Sequence, residues 1–276
     1  MKKRLFQATF PALRRLLAGS ALLLGLIQPG SPNPLCAQEN STAGPLVFDE
    51  TAEYSLAFKG LGAAQASIRF FPGTPQRIEA RIDTRGLTSL IFSVHNTYQS
   101  HIDPSSGLPI VVEKNIAQSN IRQQLSIRYD RPDNTAESST PASWSILPGA
   151  MDLFTMLFQL RRMSLPPGAK VAFPLDIESQ AWLASGQVEK GGEMESPCGR
   201  LETRRITLLF SRMDQGSPRA WKTDLLTNRI ARPDGMLTLF LGPPPEQIPL
   251  LIQFGPPGQQ VSMRMKNYTR GNRSCP

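Results

Sequence analysis

Past residue 48 the chain is dominated by a period of two. In "EYSLAFKG" Tyr54, Leu56 and Phe58 point one way while Glu53, Ser55 and Lys59 point the other. A glycine-containing turn follows. Ala64, Ala66, Ile68 and Phe70 then alternate against Gln65, Ser67 and Arg69, the signature of a β-hairpin with one buried face. The same beat recurs in "RIEARID", "IRQQLSIRYD", "KVAFPLD", "RRITLLF", "AWKTDLL", "GMLTLFL", "LLIQF" and "VSMRMKNY". Turn-forming stretches such as "PGTPQ", "DPSSG", "DRPDN", "LPPGA", "EKGGE" and "GPPGQ" separate them. The pattern predicts a mainly β protein of about a dozen strands, one large curved antiparallel sheet or open barrel.

One stretch breaks the beat. In "MDLFTMLFQLRRM", residues 151–163, Asp152, Thr155, Gln159 and Arg162 recur at spacings of three and four, and apolar side chains fill the rest of the circumference. "PG" precedes this predicted amphipathic helix and "LPPG" stops it. So wide an apolar surface needs cover, and the concave face of the sheet is the simplest place for it. There it either fills the core or plugs a lipophilic cavity. Phe154, Met156, Leu157 and Phe158 of the helix, with Phe58 and Phe70 of the first hairpin, are the candidate ligand-binding residues of such a cavity.

The start of the chain has a different character. Lys2, Lys3, Arg4, Arg14 and Arg15 lead into the apolar run "LLAGSALLLGLIQ" and then "PGSPNPLCAQ". This reads as a secretory signal peptide over residues 1–37, cleaved near Ala37. The apolar run is short of the roughly 20 residues a membrane helix needs, so an integral membrane protein is not expected. Cys36 would suit a lipidated N-terminus only after a small residue, and Leu35 stands there. Residues 38–47 form a flexible lead-in, and residues 48–276 a single β-rich domain. Export places that domain in the periplasm or outside the cell.

Export changes the meaning of the charge. Without the five basic residues of the signal, the formal +8 falls to about +3. No later run of Lys and Arg interleaves with aromatics, which argues against a nucleic-acid partner. Two cysteines remain, Cys198 and Cys275. In an oxidising compartment an isolated pair usually joins, here closing a loop of about 80 residues with a stabilisation of about 3–4 kcal/mol. The alternative is two unrelated thiols.

Candidate chemistry is sparse. His95 and His101 share one strand face, about 20 Å apart, too far to ligate one zinc ion. Their neighbours Thr97 and Gln99 suggest an outward, solvated face. No G-x-S-x-G elbow, H-E-x-x-H motif or phosphate-cradling glycine loop follows the signal. Asp83, Asp103, Glu113 and Asp152 are the carboxylates considered for acid–base work. The first three sit in alternating or turn contexts, while Asp152 stands at the predicted helix start, where an acid caps free amides. The expectation is no catalytic residue, no metal and no cofactor.

The order of the pieces resembles the exported bacterial family called domain of unknown function 3108, over about residues 50–269. The blocks carrying the resemblance are "AEYSLAFKGLGAAQASI", "TRGLTSLIFSVHNTYQSHIDPSSGLP", "MDLFTMLFQLRRMSLPPGAKVAFPL" and "ESPCGRLETRRI". The resemblance implies a periplasmic β-rich domain with one helix and supplies no activity. Two roles follow as expectations. One is a non-catalytic carrier or binder of a lipid or other lipophilic ligand. The other is a structural or assembly factor of the envelope acting on another envelope protein.

Overall fold

The computed structural model describes residues 49–86, 93–140, 142–214, 224–230, 232, 235–255, 258 and 260–275, the side chains of 225, 228 and 229 aside. The signal segment and the lead-in lie outside the described residues. The alternating pattern becomes β1 (Glu50–Phe58) and β2 (Leu61–Phe71), joined by a two-residue turn in which Lys59 and Gly60 both have positive φ, 49° and 80°. A tight hairpin of this hand needs that conformation at both central positions, and glycine adopts it without strain.

The meander continues through β3 (Gln76–Thr84), β4 (His95–Ile102), β5 (Pro109–Gln118), β6 (Ile121–Asp130), β7 (Thr135–Ser138) and β8 (Ala142–Ser145). After helix α1 (Leu153–Arg162) come β9 (Lys170–Ile177), β10 (Gln180–Ser196) and β11 (Gly199–Arg212). A short helix α2 (Leu225–Ile230) precedes β12 (Met236–Leu241), β13 (Pro249–Phe254), β14 (Val261–Arg270) and β15 (Arg273–Ser274). All are antiparallel neighbours in one 15-stranded sheet, ordered β8 to β1, then β14 down to β9, with β15 on β14. The pairing of β1 with β14 joins the two halves of the meander.

The sheet curls until its two ends meet. Met151 donates its N–H to the Pro174 carbonyl at 3.1 Å and accepts from the Asp176 N–H at 3.0 Å, a one-residue parallel bridge between the chain after β8 and strand β9. The architecture is therefore an open barrel latched at a seam. Its interior holds one large apolar cluster built from inward residues such as Tyr54, Phe70, Ile78, Phe173, Trp182, Leu208, Leu239 and Met263, with α1 inside it. Each fully buried large aliphatic contributes about 1.5–3 kcal/mol.

The mainly β, open antiparallel architecture is as expected, and one expectation needs correction. Residues 220–223 of "AWKTDLL" lie outside the described residues, and its last two, Leu225 and Leu226, begin a helix and not a strand. The carboxylate of Asp224 accepts from the Leu226 N–H at 2.9 Å, which supports a helical turn there. There is accordingly a second, six-residue helix beside the predicted one. The strands number fifteen among the described residues, because short pieces such as β7, β8 and β15 carry too few residues to show a period.

The β10–β11 hairpin outruns its neighbours. β9 pairs with β10 only as far as Gln187, and β12 with β11 only from Arg204, so residues 189–203 form a two-stranded arm. Cys198 at its tip is bonded to Cys275, with Cα atoms 5.3 Å apart. Met194, Cys198 and Leu201 of the arm pack against the core.

Candidate functional site

Helix α1 begins at Asp152, whose carboxylate accepts from the N–H groups of Phe154 (2.9 Å) and Thr155 (3.2 Å) and from the Thr155 hydroxyl (2.5 Å). The acid is a buried N-cap. At the other end Gln247 donates from Nε2 to the carbonyls of Arg161 and Met163, both at 2.8 Å, satisfying acceptors the last turn leaves open. Between the ends, Phe158 stacks on Phe70 of β2 at 4.6 Å and Phe154 meets Tyr98 of β4 at 5.1 Å. α1 thus lies with its apolar side on the inner face of the sheet.

Between α1 and strands β1, β2, β3 and β13 remains an apolar slot lined by Ala52, Tyr54, Ile68, Phe70, Ile78, Phe154, Leu157, Phe158 and Ile248. Its volume is about 40 Å³. A buried water needs about 10–15 Å³ on this measure, while pockets for organic ligands run to several hundred. The slot has room for a few waters and is too small for an acyl chain. Of the expected ligand-binding residues, Phe70, Phe154, Leu157 and Phe158 come together here. Met156 is fully buried and does not line the slot, and Phe58 sits at the end of β1, 36% exposed. Strand parity cannot reveal that a strand's last residue has left the core.

A charged clasp forms one side of the slot, whose lining also includes Glu50, Arg161, Pro249 and Tyr268. Arg161 reaches Glu50 at 2.6 Å and donates from Nε to the Glu246 carbonyl at 3.2 Å. Arg270 bridges Glu246 (2.9 Å) and Glu50 (3.6 Å). Burial, the largest single effect, pulls the Arg161 pKa down, but the charge and hydrogen bond of Glu50, together with Tyr268 and Tyr54, more than offset it and the guanidinium ends up raised. The clasp ties helix end, β1, β14 and the β12–β13 loop together.

A second polar group, missed in the sequence, lies inside the wall near the seam. Lys114 of β5 meets Glu178 at 2.8 Å, and the Thr227 hydroxyl donates to Glu178 at 2.6 Å. Tyr98 donates to Asp224 at 2.8 Å and receives from Asn96 at 3.1 Å. Tyr129 and Trp144, from β6 and β8, each donate to Asp176 of β9 at 3.2 Å, so this carboxylate pins both sheet ends beside the Met151 bridge. Burial pushes the Asp176 carboxyl up to about 6, against the pull of those two hydrogen bonds and of Lys114. Burial likewise raises Asp224. For Lys114 burial works downward, but Glu178 and Asp224 more than offset it, so the amine stays protonated and is no nucleophile at neutral pH. The available signal was parity: Lys114 shares the inward phase of Val112 and Ile116.

The other candidates are placed apart. His95 and His101 lie on the outer face of β4, His95 2.8 Å from Asp83 and His101 3.7 Å from Glu113. Asp103 accepts from Ser105 and Ser106 within its own turn, bonds that hold its carboxyl below the usual range. Among the described residues no group of three or more His, Cys, Asp or Glu is placed to hold a metal ion. Nor is any described helix long and apolar enough to cross a membrane.

A family model described as "Protein of unknown function (DUF3108)" matches residues 53–233. No curated protein matches the chain. Among solved structures, a β-barrel-like protein of domain of unknown function DUF1849 from Brucella abortus is similar, with a TM-score of 0.53 at 8% identity. The alignment covers 83% of this chain and 100% of that one, a likeness of fold alone.

Proposed function

The chain belongs to the DUF3108 family of proteins of unknown function, and from that premise we propose that it is an exported, non-catalytic component of the cell envelope that works through its outer surface, as a structural or assembly factor. The observation that carries this reading is the filled interior. The slot left between α1 and the sheet is only about 40 Å³, too small for an acyl chain, which favours partners that meet the barrel's outside. The basic start and short apolar run of residues 1–37 support export, and the Lys114 network supports a wall built for rigidity. Fractionation and in-cell crosslinking of the tagged protein in its native host test the reading. The expected result is a protein in the exported fraction, crosslinked to a defined envelope component. Retention in the cytoplasm, or crosslinking to no envelope component, overturns it.

A second reading has its own observation. Phe70, Phe154, Leu157 and Phe158 converge on one slot, and a shift of α1 would widen it into a lipophilic cavity. Native mass spectrometry of the protein purified without detergent decides between the two. A stoichiometric lipid adduct favours the carrier; a bare mass favours the scaffold.

A further inference from the structure

Strand registers gather one set of turns at the same end of the barrel. The β1–β2 turn follows Phe58, which pairs with Val261 at the start of β14. Ala64 of β2 pairs with Thr84 at the end of β3, and Val94 bridges Gln118 just before the β5–β6 turn. Through β14, β13 and β12 the same end reaches the finish of β11.

Five large hydrophobic side chains stand exposed among the described residues, and three belong to this end: Leu61 at 77%, Met213 at 49% and Phe58 at 36%. Phe58 and Leu61 face each other across the turn, with the Lys59 ammonium 5.7 Å from the Phe58 ring centre. Lys59, Arg85 and Arg122 are exposed at the same end. Among the described residues two acids near this end are engaged, Asp83 with His95 and Asp214 with Arg212. An exposed apolar turn with cations spread along the same end of the barrel is an arrangement that inserts into a headgroup layer, with the bases on lipid phosphates.

We infer that this end of the barrel docks on an anionic lipid surface, with Leu61 and Phe58 entering the headgroup layer and Lys59, Arg85 and Arg122 meeting its phosphates. The inference rests on the surface-acting reading above and supplies a partner for that surface. The purified protein is sedimented with vesicles of phosphatidylcholine, alone or mixed with phosphatidylglycerol. Binding to the anionic vesicles is expected to be about tenfold tighter and to weaken as salt screens it. Leu61→Ser and Lys59→Glu alter exposed positions, so each should leave the melting temperature unchanged while weakening binding about tenfold. Absence of binding, equal binding to neutral vesicles, or variants that bind like the parent would each overturn the inference. An envelope crosslink that persists in such a case leaves the surface-acting reading standing; cytoplasmic retention of a vesicle-binding protein sinks that reading alone.

Discussion

Asp176 shows how one side chain can join two distant parts of a sheet and make the joint sensitive to pH. Its carboxyl titrates near 6 in the folded chain and near 3.8 when unfolded, chiefly because it is buried. The folded state therefore holds this proton more tightly. The resulting stabilisation is complete below the unfolded value, shrinks as pH rises, and is gone once pH passes the folded value. Two units correspond to about 2–3 kcal/mol. Urea titrations at pH 4.5 and pH 7 should show stability falling with pH in the parent protein, and Asp176→Asn should flatten that slope. An unchanged slope in the variant would rule out Asp176 as its source. Strand parity in the sequence placed both histidines and, Phe58 excepted, the inward faces of β1 to β3. It passed over Asp176, whose role comes from the Trp144 and Tyr129 donors brought to it across the seam. No spacing within one strand encodes such a meeting.

At the scale of elements, α1 was legible because ten residues with a wide apolar stripe, a capping acid and proline stops all agree. Its covering by the sheet followed from the size of that stripe. α2 was not legible, since a six-residue apolar-polar mixture fits a strand or a helix equally well and only its neighbours decide. If α1 is core, truncating it should cost what core truncations cost. Phe158 is 4% exposed and stacked on Phe70, so Phe158→Ala should destabilise by about 3–5 kcal/mol in chemical denaturation. The empty slot beside it allows some collapse, which favours the lower end of that range. A loss under about 1 kcal/mol would mean that α1 is a loosely held plug, and the carrier reading would gain accordingly.

For the whole molecule, the antiparallel meander could be read from alternation and turns, but neither the β1–β14 join nor the Met151–β9 latch could. Both pair segments far apart in sequence, and register between such strands is set by tertiary packing. The Cys198–Cys275 bond belongs to the same scale. It spans 77 positions and fixes the tip of the β10–β11 arm to the chain beside β14. Beyond Val188 and Arg204 the arm's strands pair only with each other, helped by the packing of Met194 and Leu201. A two-stranded ribbon of that kind is marginal by itself in water. Reduction, or Cys198→Ser, should therefore cost about 3–4 kcal/mol, roughly 10 °C in melting temperature. It should also expose residues 189–203 to proteases well below the global transition, while the barrel core stays protected. Limited proteolysis with and without a dithiol reductant checks both parts. If the arm resists cleavage after reduction, its hold on the barrel comes from packing and pairing, and the bond serves only to shorten the unfolded chain.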